Sequence, residues 1–158
     1  MNDPTVALQM LIRDRLAEHP KIEERISPYN IRVGPIGPHH MPAIVLSPAR
    51  VRVLGRASGG QIVAEVRVFL HLWTPEDAST LPDGQYSSWL LKNEGGSATA
   101  QIIANAMLSA LMDAPRASDF QIDEWDRPEL VWNRDPDPAQ PFIHGTVALR
   151  AVLRWRAD

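Results

Sequence analysis

The hydrophobic positions change period along the chain, and each period predicts an element. Asp3 before Pro4 predicts a helix start: an aspartate N-cap accepts backbone N–H groups, and proline at the first helical position gives up a donor that lacks a partner there anyway. Leu8, Leu11, Ile12 and Leu16 follow at helical spacing, predicting an amphipathic helix of about four turns that ends at His19 and Pro20. Between residues 21 and 42, Pro28, Pro35, Pro38 and Pro42 break regular hydrogen bonding. Beyond a short helical turn near Ile22 to Ile26, that segment is expected to be an irregular, extended connector.

From Ala43 the period becomes two. Ile44 to Leu46 lead into Val51 and Val53, which alternate with Arg50 and Arg52, and Pro48 marks an edge strand or a bulge. After Ser58, Gly59 and Gly60, the residues Ile62, Ala64, Val66, Val68, Leu70 and Leu72 take one face of a strand. Val63, Glu65, Arg67, Phe69, His71 and Trp73 take the other. The two runs predict a long β-hairpin. Residues 74–96 read as a long loop, with Pro75, Pro82, Asp83-Gly84 and Gly95-Gly96; its Tyr86, Trp89, Leu90 and Leu91 either pack back on the domain or await a partner. Ser97 is expected to cap a second helix whose stripe of Ile103, Met107, Ala110 and Leu111 lies on the sheet. Phe120 to Trp125 and Leu130 to Trp132 predict short strands around the turn at Asp126-Arg127-Pro128. Val147, Leu149, Ala151, Leu153 and Trp155 predict a long final one. The expected architecture is an α+β domain spanning residues 1–158, with a mainly antiparallel sheet, a long hairpin, and two main helices packed on one face.

Composition narrows the function classes. At 158 residues and 44% hydrophobic, the chain has the size and apolar content of one globular domain. The absence of cysteine excludes disulfides, thiolate metal ligands and a cysteine nucleophile. A formal net charge of -3 supplies no global attraction to nucleic acid or an anionic membrane. Among the 16 basic residues only Lys21 and Lys92 are lysines, a bias that a GC-rich coding sequence produces as readily as selection for guanidinium chemistry. The start lacks the basic and apolar pattern of a signal peptide, and no run approaches the roughly 18 apolar residues of a membrane span.

Candidate chemistry is sparse. Phosphate-loop, dinucleotide and nucleophile-elbow motifs are missing, and Gly34-Pro35-Ile36-Gly37 reads as a rigid turn. His39 and His40 are adjacent on an extended segment, so they point apart and read as loop residues, not metal ligands. His71 on the mixed strand face reads as surface or interface packing, not a general base. Asp119, Asp123, Glu124, Asp126, Asp135 and Asp137 lack calcium-loop spacing and read as a solvated acidic edge. Arg50, Arg52, Arg67, Arg150 and Arg154 form a basic face if their strands are neighbours, serving either DNA phosphates or a partner's carboxylates, or keeping an outer face soluble. No catalytic residue, metal ligand or cofactor site is expected.

Several segments together resemble a known family. The strand EVRVFLHLWT (Glu65 to Thr74), the small-residue helix ATAQIIANAMLSAL (Ala98 to Leu111) and the run RDPDPAQPFIHGTVALRAVLR (Arg134 to Arg154) resemble the tail-completion, or tail terminator, proteins of siphophages and gene transfer agents. The resemblance covers most of residues 5–156. It implies a non-enzymatic virion component made in the bacterial cytoplasm and placed at the particle neck. There it forms a homo-oligomeric ring, a hexamer, that caps the tail tube, joins it to the head connector or stopper protein, and lies near channel DNA without reading its sequence. On this reading Phe69, His71 and Trp73 are expected at a subunit interface, and Tyr86, Trp89 and Leu90 at the tube or connector. Two other classes remain open: another neck component such as a head-closure or connector protein, and a small-ligand-binding α+β domain or small enzyme with a pocket between helices and sheet.

Overall fold

The computed structural model describes residues 3–34, 40–133 and 142–157. His39, Asp135, Asp137, the rest of the Gly34 to Gly37 turn beyond its first residue, and Arg134 to Pro141 of the resembling run lie outside them. Helix α1 (Pro4–Glu18) starts as its sequence predicts: the Asp3 carboxylate accepts from the backbone N–H groups of Thr5 at 2.8 Å and Val6 at 3.2 Å. A short helix α2 (Pro20–Glu23) follows at once. The connector is less irregular than expected, because Ile31–Val33 forms a strand, β1, paired in parallel with β2 (Ala43–Leu46).

Two strands of 15 residues, β4 (Gln61–Pro75) and β7 (Phe142–Arg156), pair antiparallel along their whole length. At about 3.3 Å per residue each spans roughly 50 Å, well beyond a usual strand. Shorter strands flank this ribbon. β3 (Arg50–Ala57) pairs with the hairpin end of β4, and β2 pairs with its far end. On the other side β5 (Gln121–Trp125) and β6 (Glu129–Asn133) pair with successive stretches of β7. The sheet is antiparallel except at β1, as the alternation predicted.

Alternation also decides where the core sits. Val66, Val68, Leu70 and Leu72 of β4 and Val147, Leu149 and Leu153 of β7 are buried under α1 and α4 (Gly96–Ala110), against Leu8, Ile12, Leu16, Ile103 and Met107. Full burial of each such side chain contributes about 1.5–3 kcal/mol, which is what holds the helices on this face.

Residues 74–96 are not a simple loop. They contain a 3-10 turn at Ala78–Thr80 and a helix α3 (Ser88–Glu94), with Ala78, Leu81 and Leu91 packed together. The cap of α4 is also displaced from Ser97 to Gly95. The reason is steric: a Cβ on Gly96 would lie 2.2 Å from the Glu76 carbonyl oxygen and 2.4 Å from that of Pro75, so only glycine lets α4 begin against the end of β4.

Candidate functional site

The helix-free face of the sheet gathers most of the residues singled out in the sequence. Register places Arg50 beside Arg67, Arg67 beside Arg150, and Arg52 beside Glu65. Glu65, buried although it lies on the outer face, is the hub of this patch. Its carboxylate accepts from Arg150 Nε at 2.8 Å, Arg67 Nε at 3.1 Å and Arg52 Nη2 at 3.3 Å. The Arg150 hydrogen bond, reinforced by Arg67 and the charge of Arg52, holds this carboxyl below its ordinary value despite the opposing effect of desolvation. Arg150 also reaches Glu124 at 3.1 Å and Asp126 at 3.3 Å, and its hydrogen bond to Glu65 first, then that to Glu124, fixes the guanidinium still more firmly in its charged form. Arg154 pairs with Asp123 at 3.0 Å. Arg50 stacks its guanidinium 5.6 Å from the Phe69 ring centroid. The five arginines therefore share one face with Glu65, Asp123, Glu124 and Asp126, a lattice of both signs.

Toward the other end of the ribbon the same face carries aromatic and imidazole groups. The His144 ring stacks on Trp73 with centroids 3.8 Å apart and planes 7° from parallel. His144 Nε2 lies 3.0 Å from His71 Nδ1, which also faces the Thr146 hydroxyl at 3.4 Å. Burial pushes the His71 imidazole below its ordinary value, favouring its neutral form, which has one nitrogen able to donate and one able to accept. Thr146 in turn accepts from Asn133 Nδ2 at 2.7 Å. Between His144 and Thr146, Gly145 lies under Trp132, whose ring carbons would be 2.9 Å and 3.0 Å from a Cβ there. The run His144-Gly145-Thr146 thus has a packing role at every position: stack, clearance and hydrogen bond.

The 74–96 segment is tied to the body and still presents apolar surface. The Tyr86 hydroxyl donates to the Glu23 carbonyl, Ser87 Oγ to that of Glu24, and Gln85 Nε2 to that of Met41 at 3.3 Å. Buried Arg25 and half-buried Glu94 pair at 2.8 Å and join the region after α2 to the end of α3. The Glu94 interaction leads the causes that raise the Arg25 pKa, although desolvation opposes it. From this anchored segment Trp89 projects with 75% of its surface exposed and Tyr86 with 46%, while Leu90 is half-buried. Sequence reasoning missed Glu65, His144 and the Arg25 to Glu94 pair. A lone acid within an arginine-rich alternating pattern was the available signal for Glu65; the other contacts depend on register and on tertiary approach.

His40 lies beside Arg32, with Nδ1 and Nη2 3.1 Å apart. Among the described residues no group of three or more His, Asp or Glu side chains converges as a metal site. No helix there is long and apolar enough to cross a membrane. A concavity of about 750 Å³ lies between the outer side of α1 and residues 116–120.

Comparison with known proteins places this arrangement. The family model described as Tail completion protein gp17 matches residues 10–154. A chain of the solved structure titled "Virion of native gene transfer agent (GTA) particle" shares the fold with a TM-score of 0.63 at 18% sequence identity, over 95% of this chain and 97% of that one. Comparison with curated proteins finds no match.

Proposed function

Because the chain belongs to the family of Tail completion protein gp17, we propose that it is a structural component of a phage-type particle, forming a hexameric ring that terminates the tail tube and joins it to the head connector. The match across residues 10–154 carries this reading. The shared fold with a chain of a gene transfer agent virion supports it. The protein works by geometry: it occupies the last position on the tube, denies the next tube subunit its place, and offers the connector a new surface.

In this ring the half-buried Phe69, His71 and Trp73 on the helix-free face contribute to contacts between neighbouring subunits. Tyr86, Trp89 and Leu90 meet the tube or the connector, with Trp89 as the anchor, since a projecting tryptophan on a tethered segment loses little conformational freedom on docking. The arginine and carboxylate lattice keeps the long sheet face wet and orders it for a partner of mixed charge. Channel DNA is a neighbour, not a sequence-specific ligand.

Light scattering of the purified protein, alone and mixed with tail-tube protein, tests the reading. A mass of six subunits and binding to tube ends is expected. Trp89→Ala is expected to keep the ring mass and lose tube binding by at least about tenfold, the range of an aromatic hot spot. Rings that bind connector and ignore tubes would instead identify a different neck component.

A further inference from the structure

Resting on the ring reading above, we propose that the contact between copies is head-to-tail, with the β3 edge of one subunit seated in the groove between α1 and residues 116–120 of the next. Strand β3 is unusual in this fold. Register puts Val51 opposite Val66 and Val53 opposite Ala64, on the side of the sheet that elsewhere is covered by helices. Yet Val51 is 47% exposed and Val53 64%, and Arg56, opposite Ile62 on the same side, is exposed as well. The helices stop short of this strand and leave an apolar strip with a cation beside it.

The groove has the complementary character. Val6 and Met10, 51% and 59% exposed, and Phe120 supply its apolar wall, while Asp3, Asp119 and Asp14, the last paired with Arg13 at 3.1 Å, rim it together with Arg116. At about 750 Å³ it has room for several side chains. Its position matters as much as its chemistry. β3 is bonded to β4 on one side of the central ribbon, whereas residues 116–120 lead into β5, bonded to β7 on the opposite side. Complementary patches at opposite edges cannot satisfy each other within one chain, and a repeated contact between them closes into a ring when the rotation per copy allows.

Both edge strands are bulged, β3 between Val53 and Gly55 and β5 between Ile122 and Glu124. Bulges discourage continuous backbone pairing from copy to copy. Recognition therefore falls to side chains: valines into the apolar wall, and Arg56 against the acidic rim. The charge arrangement also disfavours the symmetric alternatives, since β3 against β3 brings arginines together and groove against groove brings carboxylates together.

Two doubly substituted proteins test this. The first carries Val53→Glu and Arg56→Glu and has a blocked strip with an intact groove. The second carries Val6→Glu and Met10→Glu and has a blocked groove with an intact strip, and its added charges repel those of the first variant's blocked strip. All four positions are exposed, and circular dichroism confirms folding of each. Each protein alone is expected to remain monomeric at concentrations at least about tenfold above those at which the wild type assembles, the minimum loss expected from interface hot spots. An equimolar mixture is expected to give one-to-one dimers that grow no further, because a single competent strip and a single competent groove remain. Wild-type rings with both variants still forming rings, or with a mixture that stays monomeric, would overturn this contact and leave the ring reading intact. A wild-type protein that is monomeric with and without tubes would overturn both.

Discussion

The two faces of strand β4 have nearly the same alternating backbone and opposite ways of being stable. On one face Val66, Val68, Leu70 and Leu72 lie against helices and are essentially inaccessible. On the other, Glu65, Arg67, Phe69, His71 and Trp73 are held by neighbours across the sheet: three arginines on one carboxylate, a guanidinium over a ring, a histidine pair and a stacked tryptophan. Burial is indifferent to which apolar residue meets which, so the first face is robust in register but costly to hollow out. Pairwise polar contacts depend on register and geometry, so the second face is specific and contributes less per residue. Such a division suits a protein that must hold its own fold and still offer an ordered, hydrated surface to an assembly.

Hollowing the core face should give the largest effect. Leu70→Ala is expected to destabilise the fold by about 2–5 kcal/mol in denaturant unfolding, since Leu70 is fully buried between sheet and helices. Removing one member of the buried pair that anchors the 74–96 segment comes next. Arg25→Met leaves Glu94 without its main cation and is expected to cost about 3 kcal/mol, the lower end for a buried pair because the Glu94 side chain keeps 12% of its surface exposed. A loss below about 1 kcal/mol would show that the segment is not held through this pair.

On the outer face, Glu65→Gln keeps the shape and removes the charge that three arginines share. The expected loss is smaller than for Leu70 and depends on pH. Because the folded carboxyl titrates below its ordinary 4.5, its contribution is present above that value and disappears as pH falls through the folded value. Glu65→Gln should therefore flatten the acid limb of the stability profile, whereas a core substitution such as Leu70→Ala lowers the profile without changing its shape. The smallest effect belongs to His71, whose imidazole titrates below its ordinary 6.5. Its neutral form stabilises the fold above that value, and the contribution is lost as pH falls through the folded value, when both His71 ring nitrogens carry protons and His71 no longer accepts from any neighbour. Thermal melts between pH 8 and 5 should fall less steeply for His71→Asn than for the wild type.

The same contrast explains what was legible in the sequence. Period-two alternation disclosed β3, β4, the short strands and β7, and the proline and aspartate at the start disclosed α1, because those signals are local. The strand Ile31–Val33 escaped because three residues among prolines carry no period, and its pairing with Ala43–Leu46 is tertiary. Helix α3 escaped because Pro82, Gly84 and Gly95 make a seven-residue helix look like loop. Ser97 was a sound cap by residue type, but the close approach of Gly96 to the end of β4 moved the helix start. Arginines on alternate strands were legible as a cluster. Their carboxylate partners were not, because Glu65, Glu124 and Asp126 come together only through a register that sequence alone does not set.

The most direct test is electron microscopy of tail-tube protein polymerising with and without this protein. With it, the account predicts tubes of arrested length carrying one ring of this protein at a single end, and ends stripped of the ring by Trp89→Ala. Tubes that keep growing, with no ring at either end, would contradict it.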